Sequence, residues 1–172
     1  MNRLWVVVVS VLVAGCGVMP GSPGYISESK STFDGGTTIS VDPGHASGCC
    51  SLGANWRSVA PDYVQIVVVL HGDYSAIENL GGLEFNIDGR IVRLDATGHP
   101  TQFDSTRSGT MVFRKSSKAF VMRRGDFDAM LSARVLKVRL HTLRGFVDGD
   151  LLENAFGGAA IQGFRGLGAR LP

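Results

Sequence analysis

Between Leu136 and His141 apolar and polar residues alternate without a break. Leu136, Val138 and Leu140 fall on one side, and Lys137, Arg139 and His141 on the other. A period of two belongs to a strand with one buried face, because successive side chains of an extended chain point in opposite directions. The same spacing places Leu83, Phe85 and Ile87 against Glu84 and Asn86, and the chain resumes after Asp88-Gly89 with Arg90 to Leu94. Asp-Gly between two such runs predicts a hairpin, since a tight two-residue turn needs positive φ at both central positions. Tyr63 to Leu70 is a β-branched run, apolar on both faces, as expected of a central strand covered on both sides.

Weaker signals extend the pattern. Thr110 to Phe113 and Lys118 to Met122 read as two strands joined by Lys115-Ser116-Ser117, with Ser105 to Ser108 as a loop and Thr37 to Val41 as a short edge strand. Phe146 and Val147 start a return strand after Arg144-Gly145. Asp126 to Ala133 has helical spacing with Phe127, Met130 and Leu131 on one side, and Ser75 to Leu80 allows one helical turn. Asn154 to Leu167 is glycine-rich and amphipathic, with Phe156, Ala160, Phe164 and Leu167 sharing a side. About six strands with one or two short helices predict a mainly β fold, a sandwich or open barrel. A chain of 172 residues, 44% hydrophobic and with 23 glycines, fits one such domain and excludes a disordered tail, a coiled coil or a polytopic membrane protein.

The first fifteen residues have the build of an export signal. Arg3 precedes an apolar run from Leu4 to Val13, about half the length that a bilayer span requires. The run ends in Val13-Ala14-Gly15-Cys16, which resembles the lipobox of bacterial lipoproteins. That resemblance implies cleavage before Cys16, diacylglyceryl transfer to its thiol, and stable anchoring through two or three acyl chains. Gly17 stands where an inner-membrane retention signal would place aspartate, so the resemblance implies the outer membrane of the cell envelope. The resemblance covers the signal and Cys16 alone. Residues 17–51 are rich in Gly, Ser, Pro and Thr and read as a flexible tether, with the folded domain over 52–172.

The net charge of +2 conceals a division. From Cys16 to Asp104 there are 4 basic and 10 acidic residues, and from Ser105 to Pro172 there are 12 basic and 5 acidic. A basic surface drawn from Arg114, Lys115, Lys118, Arg123, Arg124, Lys137, Arg139 and Arg144 would suit an anionic lipid or an acidic envelope protein. Candidate partner-binding residues are Arg123, Arg124, Lys137, Arg139 and His141. The bland alternative is that strands of the two halves neighbour each other and their charges interleave. Nucleic acid is not expected as a partner, because the compartment lacks it.

Cys49 and Cys50 are adjacent, and neighbouring Cα atoms lie closer than disulfide geometry prefers. A vicinal disulfide, a bridge to another chain, or buried thiols remain open. His45, His71, His99 and His141 match no zinc spacing, and no metal or cofactor is expected, although His45 lies close to the cysteine pair. Val69-Leu70-His71-Gly72 looks like the His-Gly oxyanion segment of α/β-hydrolases, but no Gly-x-Ser-x-Gly accompanies it. No catalytic residue is assigned. The sequence thus points to a membrane-anchored envelope lipoprotein whose β module binds a partner or has a structural role. Its rivals are a small envelope hydrolase built from His71, Asp73 and a distant serine, and a redox or metal sensor using Cys49 and Cys50.

Overall fold

The computed structural model describes residues 19–72, 77, 82–152 and 158–172. Cys16 and its signal run, Asp73, Phe156 and, apart from Ile77, the turn expected over Ser75 to Leu80 lie outside the described residues. The chain is mainly β, with a curled six-stranded half-barrel, a second four-stranded sheet and two short helices. The strands are β1 (Ile26–Lys30), β2 (Thr37–His45), β3 (Ser51–Arg57), β4 (Tyr63–His71), β5 (Leu83–Ile87), β6 (Arg90–Leu94), β7 (Gln102–Ser108), β8 (Met111–Arg123), β9 (Leu136–Thr142) and β10 (Gly145–Asp150). The large sheet runs β1-β2-β3-β4-β8-β7 and the small one β10-β9-β5-β6, with every pairing antiparallel. Both edges of the small sheet are stitched to the large one. Ser47 bridges Asp150 on one side and Ala96 bridges Phe120 on the other.

The cleanest alternations form the centre. Leu83, Phe85, Ile87, Leu136, Val138 and Leu140 from the small sheet meet Val64, Ile66, Val68 and Phe120 from the large one in a single apolar cluster. The Asp88-Gly89 turn has positive φ at both residues, 50° and 92°, as a two-residue hairpin demands. Asp88 is also a clamp: its Oδ1 accepts the backbone N–H groups of Arg134 and Val135 at 2.9 and 2.7 Å. On β4 the alternate residues Gln65, Val67 and Val69 are only half-buried, so the expected double covering is present on one face alone.

Three expectations change. The segment read as a tether contributes β1 and β2, burying Ile39, Val41, Ala46 and Cys50, so the domain begins well before residue 52. Its few apolar side chains sit at strand spacing, and pairing to β3 supplies the order that composition conceals. Thr37–Val41 is accordingly not an edge, because β1 covers it. Second, β8 is one strand of 13 residues, and Lys115-Ser116-Ser117 is paired to β4 on one side and β7 on the other. Third, Ser105–Ser108 belongs to β7, which is exposed throughout. Ladders from neighbouring strands override local polarity in both places.

Helix α1 (Arg124–Ser132) buries Phe127 and Met130. Helix α2 (Ala159–Gly168) buries Ala160, Ile161, Gly163, Phe164 and Leu167, and Phe164 meets Phe127 at 5.9 Å between ring centroids. The helix lies almost on the backbone of the first strands. A Cβ on Gly44 would sit 2.6 Å from the Ala159 carbonyl carbon, and one on Gly163 would sit 3.1 Å from Gly24 Cα. Among the described residues no helix is long and apolar enough to cross a membrane.

Candidate functional site

The outer side of the small sheet carries the face nominated for partner binding. Strand register sets Arg93, Glu84, Arg139 and Asp148 in one row across β6, β5, β9 and β10. The row is an ion-pair ladder. Arg93 Nε donates to Glu84 at 2.8 Å, and Arg139 makes a two-pronged contact with Asp148 at 2.7 Å for each oxygen. The Arg139 guanidinium also lies 4.2 Å from the centre of the Phe146 ring. Its hydrogen bonds hold the Asp148 carboxyl below the ordinary carboxylate range and raise the guanidinium further. Next to this row, Ile91, Asn86, Lys137 and Asp150 form a second, and a hollow of about 430 Å³ lies between them.

Interleaving therefore governs this face. Lys137, Arg139 and His141 do share it, but Glu84 and Asp148 neutralise its centre. His141 Nε2 is 3.6 Å from Glu84, too long for a hydrogen bond, and has no hydrogen-bond partner among the described residues. Lys137 makes no ion pair among the described residues. Arg123 and Arg124 sit elsewhere, at the junction of β8 and α1. Arg124 is held by Asp128, and Arg123 lines a separate hollow of about 440 Å³ with Tyr63, Arg93 and Asp126. Lys118 is buried, donating to the Ile77 carbonyl at 2.9 Å, and burial lowers its pKa. The five candidates thus form two separate groups.

A second cluster lies at one end of the large sheet. Ser51, the first residue of β3, places Oγ 3.2 Å from Nε2 of His71, the last residue of β4. His71 lines a hollow of about 350 Å³ with Gly72, Val112, Phe113 and Arg114. A hydroxyl hydrogen-bonded to an imidazole is the first half of an activated nucleophile. Ser51 was not legible as a partner of His71, because 20 residues separate them and only strand pairing joins them.

Just beyond Ser51, Cys49 and Cys50 are free thiols with Sγ atoms 2.8 Å apart. The hydrogen bond to Cys49, followed by burial, pushes the Cys50 thiol well above its usual range. Cys49 also approaches the Val147 carbonyl at 3.7 Å, so the pair lies on the seam between the sheets. Among the described residues no three His, Cys, Asp or Glu side chains are grouped to hold a metal ion, and His45 does not complete a site with the cysteines.

Past His71 the large sheet narrows to two strands. The last rung between β4 and β8 is His71 opposite Lys115, with Gly72 N–H still donating to the Arg114 carbonyl, and from there to Met111 β7 is the strand paired with β8 among the described residues. This arm leaves Met111, Val112 and Phe113 between 52% and 63% exposed. Three consecutive apolar residues cannot all face one side of a strand, which is the signal in the sequence for such a surface. Comparison with protein-family models, with characterised proteins and with solved structures returned no match.

Proposed function

We propose that the protein is a bacterial envelope lipoprotein, held at the outer membrane through acylated Cys16, whose β module binds an envelope protein or anionic lipid. The observation that carries this reading is Val13-Ala14-Gly15-Cys16 closing a short apolar run behind Arg3. The position of the module supports it: Tyr25 is the ninth residue after Cys16, and β1 begins at the next. Expression with labelled palmitate should mark the chain and add acyl mass at Cys16, with both signals lost in Cys16→Ala. A mature chain cleaved elsewhere and free of lipid would overturn the reading.

One observation favours a second reading, a small envelope hydrolase. The Ser51–His71 contact would let Nε2 take the hydroxyl proton as Oγ attacks an ester carbonyl. A fluorophosphonate probe should then label wild type at Ser51 and leave Ser51→Ala and His71→Ala unlabelled. Absence of labelling in folded wild type removes this alternative.

A further inference from the structure

The arm formed by the free ends of β7 and β8 and the entry of the chain into the domain lie at the same end of the large sheet. Ile26, Val41, Ala54, Ile66 and Phe120 are opposite one another in a single row across five strands. From that row, the direction toward the chain's start on β1 is the direction toward His45 on β2, Ser51 on β3, His71 on β4 and Met111 on β8. Met111 is nine residues beyond Phe120, a rise of about 30 Å in a strand. Before β1 the chain is folded in two turns, with Ser22 N–H donating to the Met19 carbonyl and Tyr25 N–H to the Ser22 carbonyl, and Gly21 and Gly24 are held to Asp42 on β2 at this same end. Cys16 lies three residues before Met19, within a reach of about 10 Å.

We propose that the tip of this arm is a membrane-contact element that enters the anionic bilayer carrying the Cys16 anchor; this rests on the lipoprotein reading. The distribution of side chains selects lipid as the occupant. Strand alternation puts Met111 and Phe113 on one face of the arm and Val112 on the other, and all three are exposed. A protein layer docked on one face leaves the opposite face wet, whereas the interfacial zone of a bilayer surrounds an inserted tip. The charge fits as well. From Ser105 to Arg114 the chain has two arginines and no acidic residue. Arg107 Nε donates to the Gly109 carbonyl, which leaves the cationic charge near the turn for lipid phosphates. Nearer the body of the sheet, Lys115 is paired with Asp104 at 3.0 Å. Isolated two-stranded ribbons are only marginally stable in water, so lipid contact would also order the tip.

The test uses the full chain, purified from membranes and reconstituted into vesicles of phosphatidylcholine and phosphatidylglycerol, with its acyl state read by intact mass. Tryptophan is placed at the tip (V112W) or in the turn between β3 and β4 at the opposite end of the sheet (V59W). Both positions are exposed, so neither change disturbs packing; cleavage before Cys16 removes Trp5, and the buried Trp56 provides a constant background. The expected result is a blue-shifted emission and strong quenching by brominated phospholipid for V112W, with neither for V59W. Replacing Phe113 with serine in V112W should lower the inserted-to-free ratio of the tip, read from the quenching, by about tenfold or more, the worth of burying one large apolar side chain. Equal emission and quenching for the two probes in acylated protein would overturn the proposal and leave the anchor standing. Selective quenching of V112W without an acyl group would do the reverse. If neither an acyl group nor quenching is found, both fall.

Discussion

Replacing Gly44 with alanine tests how closely α2 is seated on the first strands. The added Cβ would lie 2.6 Å from the Ala159 carbonyl carbon and 2.9 Å from Ala160 Cα, and closer still to the Ala160 nitrogen. These atoms are the backbone of the first helical turn and cannot rotate away. Carbon atoms prefer about 3.5 Å or more, so the helix must withdraw by about 1 Å. Overpacking of this kind costs about 1–3 kcal/mol, and the withdrawal also loosens Ile161, Phe164 and Leu167, so about 3 kcal/mol is expected. Gly166→Ala is the control, because its Cβ meets only Ile26 Cδ1, the far end of a flexible side chain. There the helix gains about 0.5–1 kcal/mol of intrinsic propensity, which offsets the displaced methyl. Urea melts followed by circular dichroism should give a clear loss for Gly44→Ala and almost none for Gly166→Ala. In a thermal scan the former should lower Tm by about 6 °C or more. If Gly44→Ala melts like wild type, or Gly166→Ala is the worse of the two, the seating of α2 is wrong.

Three further outcomes follow from the polar contacts. Arg139→Glu should lower Tm by setting a third carboxylate beside Glu84 and Asp148, whereas Lys137→Gln, which sets no carboxylate opposite Asp150, should leave Tm nearly unchanged; binding loss in Lys137→Gln would then report on partner recognition. Asp148 titrates below its ordinary value because of Arg139, so its contribution to stability is present at neutral pH and lost as pH falls through the carboxylate range. Asp148→Asn should therefore flatten the acid limb of a Tm-against-pH curve, and an unchanged limb would refute the pairing. Brief alkylation with iodoacetamide at pH 8 should modify half-buried Cys49 before Cys50, whose thiol is buried and held protonated; fragment-ion mapping reads the order, and equal modification would contradict it.

The core was largely legible, because burial of one face imposes a period of two and β5, β9 and the Asp88-Gly89 turn show it without interference. Strands that bury little carry little signal. β1 and β7 are held by backbone ladders on one side, and their side chains, such as Ser27 and Glu28 or Asp104 and Ser105, are free to be polar. The basic strand β9 was legible as a face but not as a neutral one, since Glu84 and Asp148 reach it only through register. Ser51 and His71 meet for the same reason. The exposed tip was visible in Met111-Val112-Phe113, yet a short apolar run has the same composition in a core strand, and only the end of β4 at His71 decides between the two.

Gly24, Gly44 and Gly163 bring the last helix of this sequence onto its first strands, and synthesis order gives that contact a consequence. A ribosome completes β1 and β2 more than a hundred residues before α2 exists. Until then Val41 and the backbone beside Gly44 have no cover, so the emerging chain cannot finish its core strand by strand. The first strands are covered only once α2 emerges, and a product truncated before Ala159 would keep most of its strands but leave their inner surface open to proteases and to other chains.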